Sequence, residues 1–363
     1  MEKLLDIYTD YLQVTFRGAS ATNLSDVLDK AYSHDQITRL LSGNEFSSKD
    51  LWQMVKPLVR SHQNEEACLI FDDSIIEKPY TDESELVTWH FDHSKSRSVK
   101  GIGILTAFYH TQTKESGNPL RIPVGYELIR KPIEYCEVKS RKHKRMAEVT
   151  KNEQLRSMML QCIRNDLVFR YVLGDSWFAA NENMEFIHKK NKVFIFDLKA
   201  NRLASTQAPV ANQKKDWTAI NEMDLPEMQP VQLWLKDLKI PVLILKQTFK
   251  NEGGTQGVRY LVTNDLSLTG PQIVTTYQKR WAVEEYHKSI KQNTAVAKSP
   301  TKTLKTQANH VFASLVAYVK FEKLKFATKC NHFALKSKLY LSALKAAFKE
   351  LYLSQPPKAD CVM

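Results

Sequence analysis

EACLIFDD at residues 66–73 and LVFRYVLGD at 167–175 are short apolar runs that each stop at an acid. Such runs read as buried strands. Between them, VKGIGILTAFYHT (99–111) and PLRIPVGYELIR (119–130) read as two further strands, and 143–165 reads as a helix. A doubly wound parallel sheet would place a helix after each strand, and 66–130 shows none. The order fits instead an antiparallel meander whose first strand is flanked by a later parallel one. In that plan the ends of the first and fourth strands are neighbours, so Asp73 and Asp175 would meet despite their distance in sequence.

Beyond this core, AANENMEFIHKKN (179–191) reads as a helix and 193–263 as β structure: KVFIFDL, VQLWLKDL, PVLILKQTF and VRYLVTN. NEGGTQG (251–257) lacks the GK[ST] of a phosphate loop and reads as a hairpin turn. Residues 271–293, 304–327 and 334–352 read as three helices. The first 62 residues read as helices broken at Gly18, Ser33 and Gly43. There SHDQITRLLSG (33–43) and SSKDLWQMVKPLVR (47–60) open with Ser-x-x-polar caps. A helix-turn-helix and a plain helical subdomain both fit. The fold class predicted is α/β, with a ribonuclease-H-like catalytic core at 63–175 and 271–300. A helix plus β-rich insertion fills 176–270. A helical DNA-binding region (1–62) and a basic helical region (301–363) flank it.

Lys and Arg total 52 against 40 Asp and Glu, a formal charge of +12. Residues 285–349 hold 13 Lys, no Arg, and only Glu285 and Glu322 as acids, so nearly the whole excess lies there. Lys139, Arg141, Lys142, Lys144 and Arg145 form a second cluster. Such an excess favours a polyanionic partner, although each run is also what a solvated helix face looks like. The five cysteines (Cys68, Cys136, Cys162, Cys330, Cys361) have no paired spacing, which fits a reducing compartment. The start, MEKLLDIYTDYLQ, does not read as a signal peptide, and no apolar run approaches the ~18 residues of a membrane span. The expectation is an intracellular protein with no membrane partner.

The sharpest motif is YQKRWAVEEYHKSIK (277–291). On one continuous helix Tyr277, Arg280, Glu284 and Lys291 would fall within about 60° of arc, and Lys288 would extend the stripe. Cations there can grip consecutive phosphates beside a carboxylate that stays ionised for a metal. The same spacing also describes an exposed helix with Arg–Glu and Glu–Lys pairs.

Y-x2-R-x3-E-x6-K resembles the signature of the DDE transposases of insertion sequence family four, which include the transposase of the fifth bacterial transposon. The fillers Trp281 and Glu284-Glu285-Tyr286-His287-Lys288 match as well. FDDSIIEKP (71–79) resembles the family's first acid followed by a hydroxyl residue, which selects Asp73 before Ser74. Asp72, on the opposite face of the strand, ranks second. LGDSWF (173–178) matches the second acid at Asp175, and Glu284 is the third. TWHFDHSKSRSVKG (88–101) also resembles the family. The likeness runs over about 66–293. It implies catalytic and metal-binding roles for Asp73, Asp175 and Glu284, with two Mg²⁺ (or Mn²⁺) ions. DNA contacts would come from Tyr277, Arg280, Lys288 and Lys291. It further implies cut-and-paste transposition through a DNA hairpin, acting on double-stranded DNA with terminal inverted repeats and on target DNA. The protein would be a homodimer assembled on DNA, in the bacterial cytoplasm at the nucleoid. The family's insertion supplies an aromatic that holds a flipped base, and Trp234 is a candidate that also reads as core.

Other features stay structural. His90 and His93 lack a second pair with zinc-site spacing. Asp197 and Asp237 lie where the family has no catalytic acid. Two alternatives to a transposase remain: a two-metal nuclease on the same core, and a transposase-derived DNA-binding protein without catalysis.

Overall fold

Four helices lead into the sheet: α1 (Glu2–Val14), α2 (Ala21–Val27), α3 (His34–Ser42) and α4 (Ser48–His62). The serine caps form as the sequence suggests. Gln36 Oε1 accepts from the Ser33 amide at 2.8 Å, and Asp50 Oδ2 from the Ser47 amide at 2.8 Å. These coordinates are a computed structural model describing residues 2–92, 94–112, 119–138, 141–208, 216–250, 254 and 256–353. His93, Lys139, Cys361 and most of NEGGTQG lie outside the described residues.

The chain divides into two units, Phe46–His287 and Met1–Glu45 with Lys288–Met363. The first holds β1 (Cys68–Glu77), β2 (Thr88–Asp92), β3 (Arg97–Gln112), β4 (Pro119–Ile129), β5 (Ile133–Glu137) and β6 (Lys142–Met146). Then come α5 (Lys151–Arg164), β7 (Tyr171–Gly174), α6 (Asn181–Lys189) and β8 (Val193–Leu198). β9 (Leu203–Ser205), β10 (Thr218–Ala219), β11 (Val231–Leu235), β12 (Pro241–Lys250) and β13 (Gln256–Thr263) follow, before α7 (Gly270–Gln278) and α8 (Trp281–Asn293).

The sheet is mixed. Its order is β10-β9-β11-β12-β13-β8-β7-β1-β3-β2, with β4 also on β3. β1 runs antiparallel to β3 and parallel to β7, and β7 runs parallel to β8. The β-rich run after α6 therefore continues the same sheet, with β13 joined to β8. Phe71, Phe108, Phe194 and Phe196 are fully buried within it.

Two local expectations change. The helix read over 143–165 begins at Lys151, where Thr150 and Glu153 form a reciprocal cap. The cationic stretch before it has no apolar period and pairs instead with β5 as a hairpin. The helix read over 271–293 is two helices, as described below. α3 and α4, the pair that could have formed a helix-turn-helix, lie in different units.

The second unit is helical and adds α9 (Leu304–Thr328) and α10 (His332–Leu353). α9 is its core, buried through most of 306–322. N-terminal helices bond to it directly: Gln13 Nε2 donates to Ala317 O at 2.9 Å, and Asn309 Nδ2 donates to Leu41 O at 2.7 Å. Lys320 pairs with Asp6 at 2.7 Å and Asp10 at 2.6 Å. Both ends of the chain thus build one unit. Among the described residues, no helix is long and apolar enough to cross a membrane.

Candidate active site

β1 is apolar from Cys68 to Phe71 and then presents two acids to opposite faces of the sheet. Asp72 pairs with Thr106 and Asp73 with Leu105. Alternation places Asp72 on the face that also carries Thr106 and Phe108. α8 covers that face: the Tyr286 ring lies 4.8 Å from Phe108, and its hydroxyl 3.4 Å from that of Thr106. Asp73 looks the other way, where its Oδ2 accepts from Lys151 Nζ on α5 at 2.7 Å. The parallel register pairs Ile70 with Leu173. Continued two residues, it sets Asp175 beside Asp72. The acid that this register sets beside Asp175 is Asp72, whereas Asp73, the first candidate from the sequence, lies on the opposite face.

The third acid arrives on a helix that starts later than its sequence suggests. Arg280 N bonds Tyr277 O at 2.9 Å and Val283 N bonds Arg280 O at 3.0 Å, three-residue steps that interrupt the helical ladder. Tyr277 therefore ends α7 while Glu284 sits in the first turn of α8. The stripe is broken, yet Arg280 still joins its parts. Its guanidinium lies 5.8 Å from the Tyr277 ring centroid. Its Nη1 is 3.4 Å from Glu284 Oε1 and 3.7 Å from Asp72 Oδ2. Arg280 Nε is buried with no hydrogen-bond partner among the described residues. Asp72, Glu284 and His287 each offer a ligand atom, all within 4.8 Å of one another.

The electrostatics follow from this crowding. Burial, then the neighbouring Glu284 carboxylate, pushes Asp72 up to about 8, against the pull of Arg280; Asp175 and Asp73 add to the rise. Burial works against the Arg280 charge, but Tyr277, Asp72, Glu284 and Asp175 hold its pKa above the ordinary value. Burial likewise raises the Tyr277 phenol, with Arg280 opposing it. A buried carboxyl held neutral beside other acids is the state that a divalent cation would relieve. Two carboxylates and an imidazole are a fitting donor set.

Lys288 and Lys291 follow on α8, both exposed, with Lys288 Nζ 5.4 Å from the Phe333 ring; they belong to the helical unit. Trp234 is half-buried on β11. Trp177 went unmarked in the sequence. It is 53% exposed two residues past Asp175, its amide donating to Asp175 Oδ1 at 3.0 Å, with Lys151 and Lys199 over its ring. His90 is structural: its Nε2 lies 2.9 Å from Thr88 Oγ1, and burial, aided by Lys131 and Lys151, lowers its pKa to about 3.

Fold and site define a mixed α/β protein with a carboxylate-rich site at the ends of adjacent parallel strands. The model of the DDE superfamily endonucleases matches residues 1–219, and that of the transposase DDE domain matches 143–320. The chain belongs to the DDE endonuclease superfamily, with an activity of transposase type. That family implies DNA as partner and divalent metal ions as cofactors. No curated protein matches the chain.

Proposed function

We propose that this protein is a cut-and-paste DNA transposase of the insertion sequence family four kind, with Asp72, Asp175 and Glu284 as its acids. The observation that carries this reading is the convergence of Asp72 and Glu284 on one Arg280 guanidinium, with Asp175 at the adjoining strand end. The order β4-β3-β1-β7-β8, with β1 parallel to β7, supports a ribonuclease-H-like core.

Asp72, Asp175 and Glu284 would hold two Mg²⁺ or Mn²⁺ ions, which activate the attacking oxygen and stabilise the leaving 3′ oxygen. Arg280 offsets the charge of Glu284 beside Asp72 in the metal-free protein and is placed to hold a phosphate once both acids are engaged. Tyr277, buried against Arg280 and Arg259, fixes the guanidinium from behind. Glu284, with 45% of its side chain exposed, marks the side open to DNA. Lys288 and Lys291, exposed later on α8, are further cations available to the DNA backbone. Trp177 offers a flat surface for a base beside Asp175, and stacking on such a ring is sequence-tolerant.

The substrate is double-stranded DNA ending in terminal inverted repeats, joined to target DNA through a hairpin intermediate. Leu341, Leu344, Phe348 and Leu351 are exposed on α10 at alternating spacings of three and four, which supports a homodimer. Cleavage of a DNA end by the full chain tests the metal reading. It should require Mg²⁺ or Mn²⁺ and vanish in Glu284→Gln; cleavage in excess EDTA would refute it.

A further inference from the structure

We infer that His287 is itself a metal ligand, so that the ion shared by Asp72 and Glu284 occupies a mixed nitrogen–oxygen site selective for Mn²⁺ over Mg²⁺. This rests on the metal reading above and adds a donor that three carboxylates do not require.

Three observations carry it. Glu284 and His287 are the ends of a Glu-x-x-His step on α8, and residues three apart share a helix face. Helices that hold metals between packed elements use this same step, with both side chains reaching one ion. The third donor comes from the sheet: His287 Nδ1 lies 3.8 Å from Asp72 Oδ2. That is too long for a hydrogen bond. It does suit two ligands on one ion, since bonds of ~2.1 Å put ligand atoms roughly 3–4.2 Å apart. Lastly, the His287 side chain is 7% exposed and that of Asp72 12%, while that of Glu284 is 45% exposed. Two donors are fixed from below, and the third leaves an open side for water or a phosphate oxygen.

The selectivity follows from the donor types. Mg²⁺ takes nearly all its ligands as oxygen and sheds water reluctantly, whereas first-row transition ions accept imidazole readily. The metal-free full chain, labelled with ¹⁵N-histidine, should bind Mn²⁺ with an imidazole-nitrogen coupling in its pulsed paramagnetic resonance spectrum. The coupling should disappear in Glu284→Gln and in His287→Gln. By calorimetry, His287→Gln should weaken Mn²⁺ binding about tenfold or more and leave Mg²⁺ within about twofold, so the Mn²⁺/Mg²⁺ preference collapses. The wild-type spectrum decides by itself if the variant does not fold. Mn²⁺ binding that needs Glu284 but shows no nitrogen coupling would overturn the inference and leave the proposed active site intact. Mn²⁺ binding indifferent to Glu284 would overturn both.

Discussion

Asp72 and Asp73 are chemically identical neighbours, and the fold gives them opposite surroundings. Asp73 meets Lys151 across a 2.7 Å salt bridge, whereas Asp72 is buried toward Glu284. The sequence could not decide between them. A hydroxyl neighbour favoured Asp73, but facing depends on register with β7 and β3, and register is set by partners far away in the chain. His287 was likewise visible only as a filler of the motif, because the role proposed for it depends on a strand more than 200 residues earlier. Asp72 has a consequence for pH. Its folded pKa is raised from 3.8 to about 8, so the fold keeps a proton that the unfolded chain releases near pH 4. The stability this gives is complete below about pH 4 and lost as pH rises to about 8. Asp72→Asn should therefore raise the melting temperature of the metal-free protein, with a gain that grows from pH 5 to 8 and levels off above. A gain independent of pH would contradict that burial.

Elements were legible where their signals are local. The capped starts of α3 and α4, and the apolar strands β1, β7 and β12, all follow from runs and caps within a few residues. β6 and the break between α7 and α8 were not, because one needs a strand partner and the other interrupts a sequence whose pattern stays helical. The break changes how Arg280 should behave. On one long helix it would be a surface partner of Glu284, worth roughly 0.3–0.5 kcal/mol. At the junction its side chain is only 14% exposed and touches Asp72, Glu284 and the Tyr277 ring. Arg280→Ala should lower single-turnover cleavage by about 10²-fold or more, since a misplaced phosphate costs that much. General DNA binding should change far less. Normal cleavage with a small melting shift would return Arg280 to a surface role. The β5–β6 hairpin is less basic in effect than in sequence: Lys144 pairs with Glu137, and Arg145 with Glu134 and Glu83.

The +12 charge is also partly spent inside the chain. Residues 1–45 carry seven acids against four Lys and Arg. Of the 13 C-terminal lysines, at least six have partners within the helical unit, including Lys305 on Glu45 and Lys320 on Asp6 and Asp10. Composition showed the excess but not this pairing. If roughly six phosphates are neutralised, DNA affinity should fall about 10³-fold between 50 and 200 mM salt. A flat response would mean that these lysines serve only the unit. Leu344→Asp on α10 should disrupt the proposed homodimer, read by sedimentation of the DNA complex, and leave the monomer folded; an unchanged sedimentation profile would exclude that face. The most direct test is single-turnover cleavage of a DNA end in Mg²⁺ by the full chain carrying Asp72→Asn or Asp73→Asn. Asp72→Asn should abolish cleavage, while Asp73→Asn, which loses only its pairing with Lys151, should retain measurable activity. Cleavage that survives in Asp72→Asn and vanishes in Asp73→Asn would contradict the assignment of the first acid.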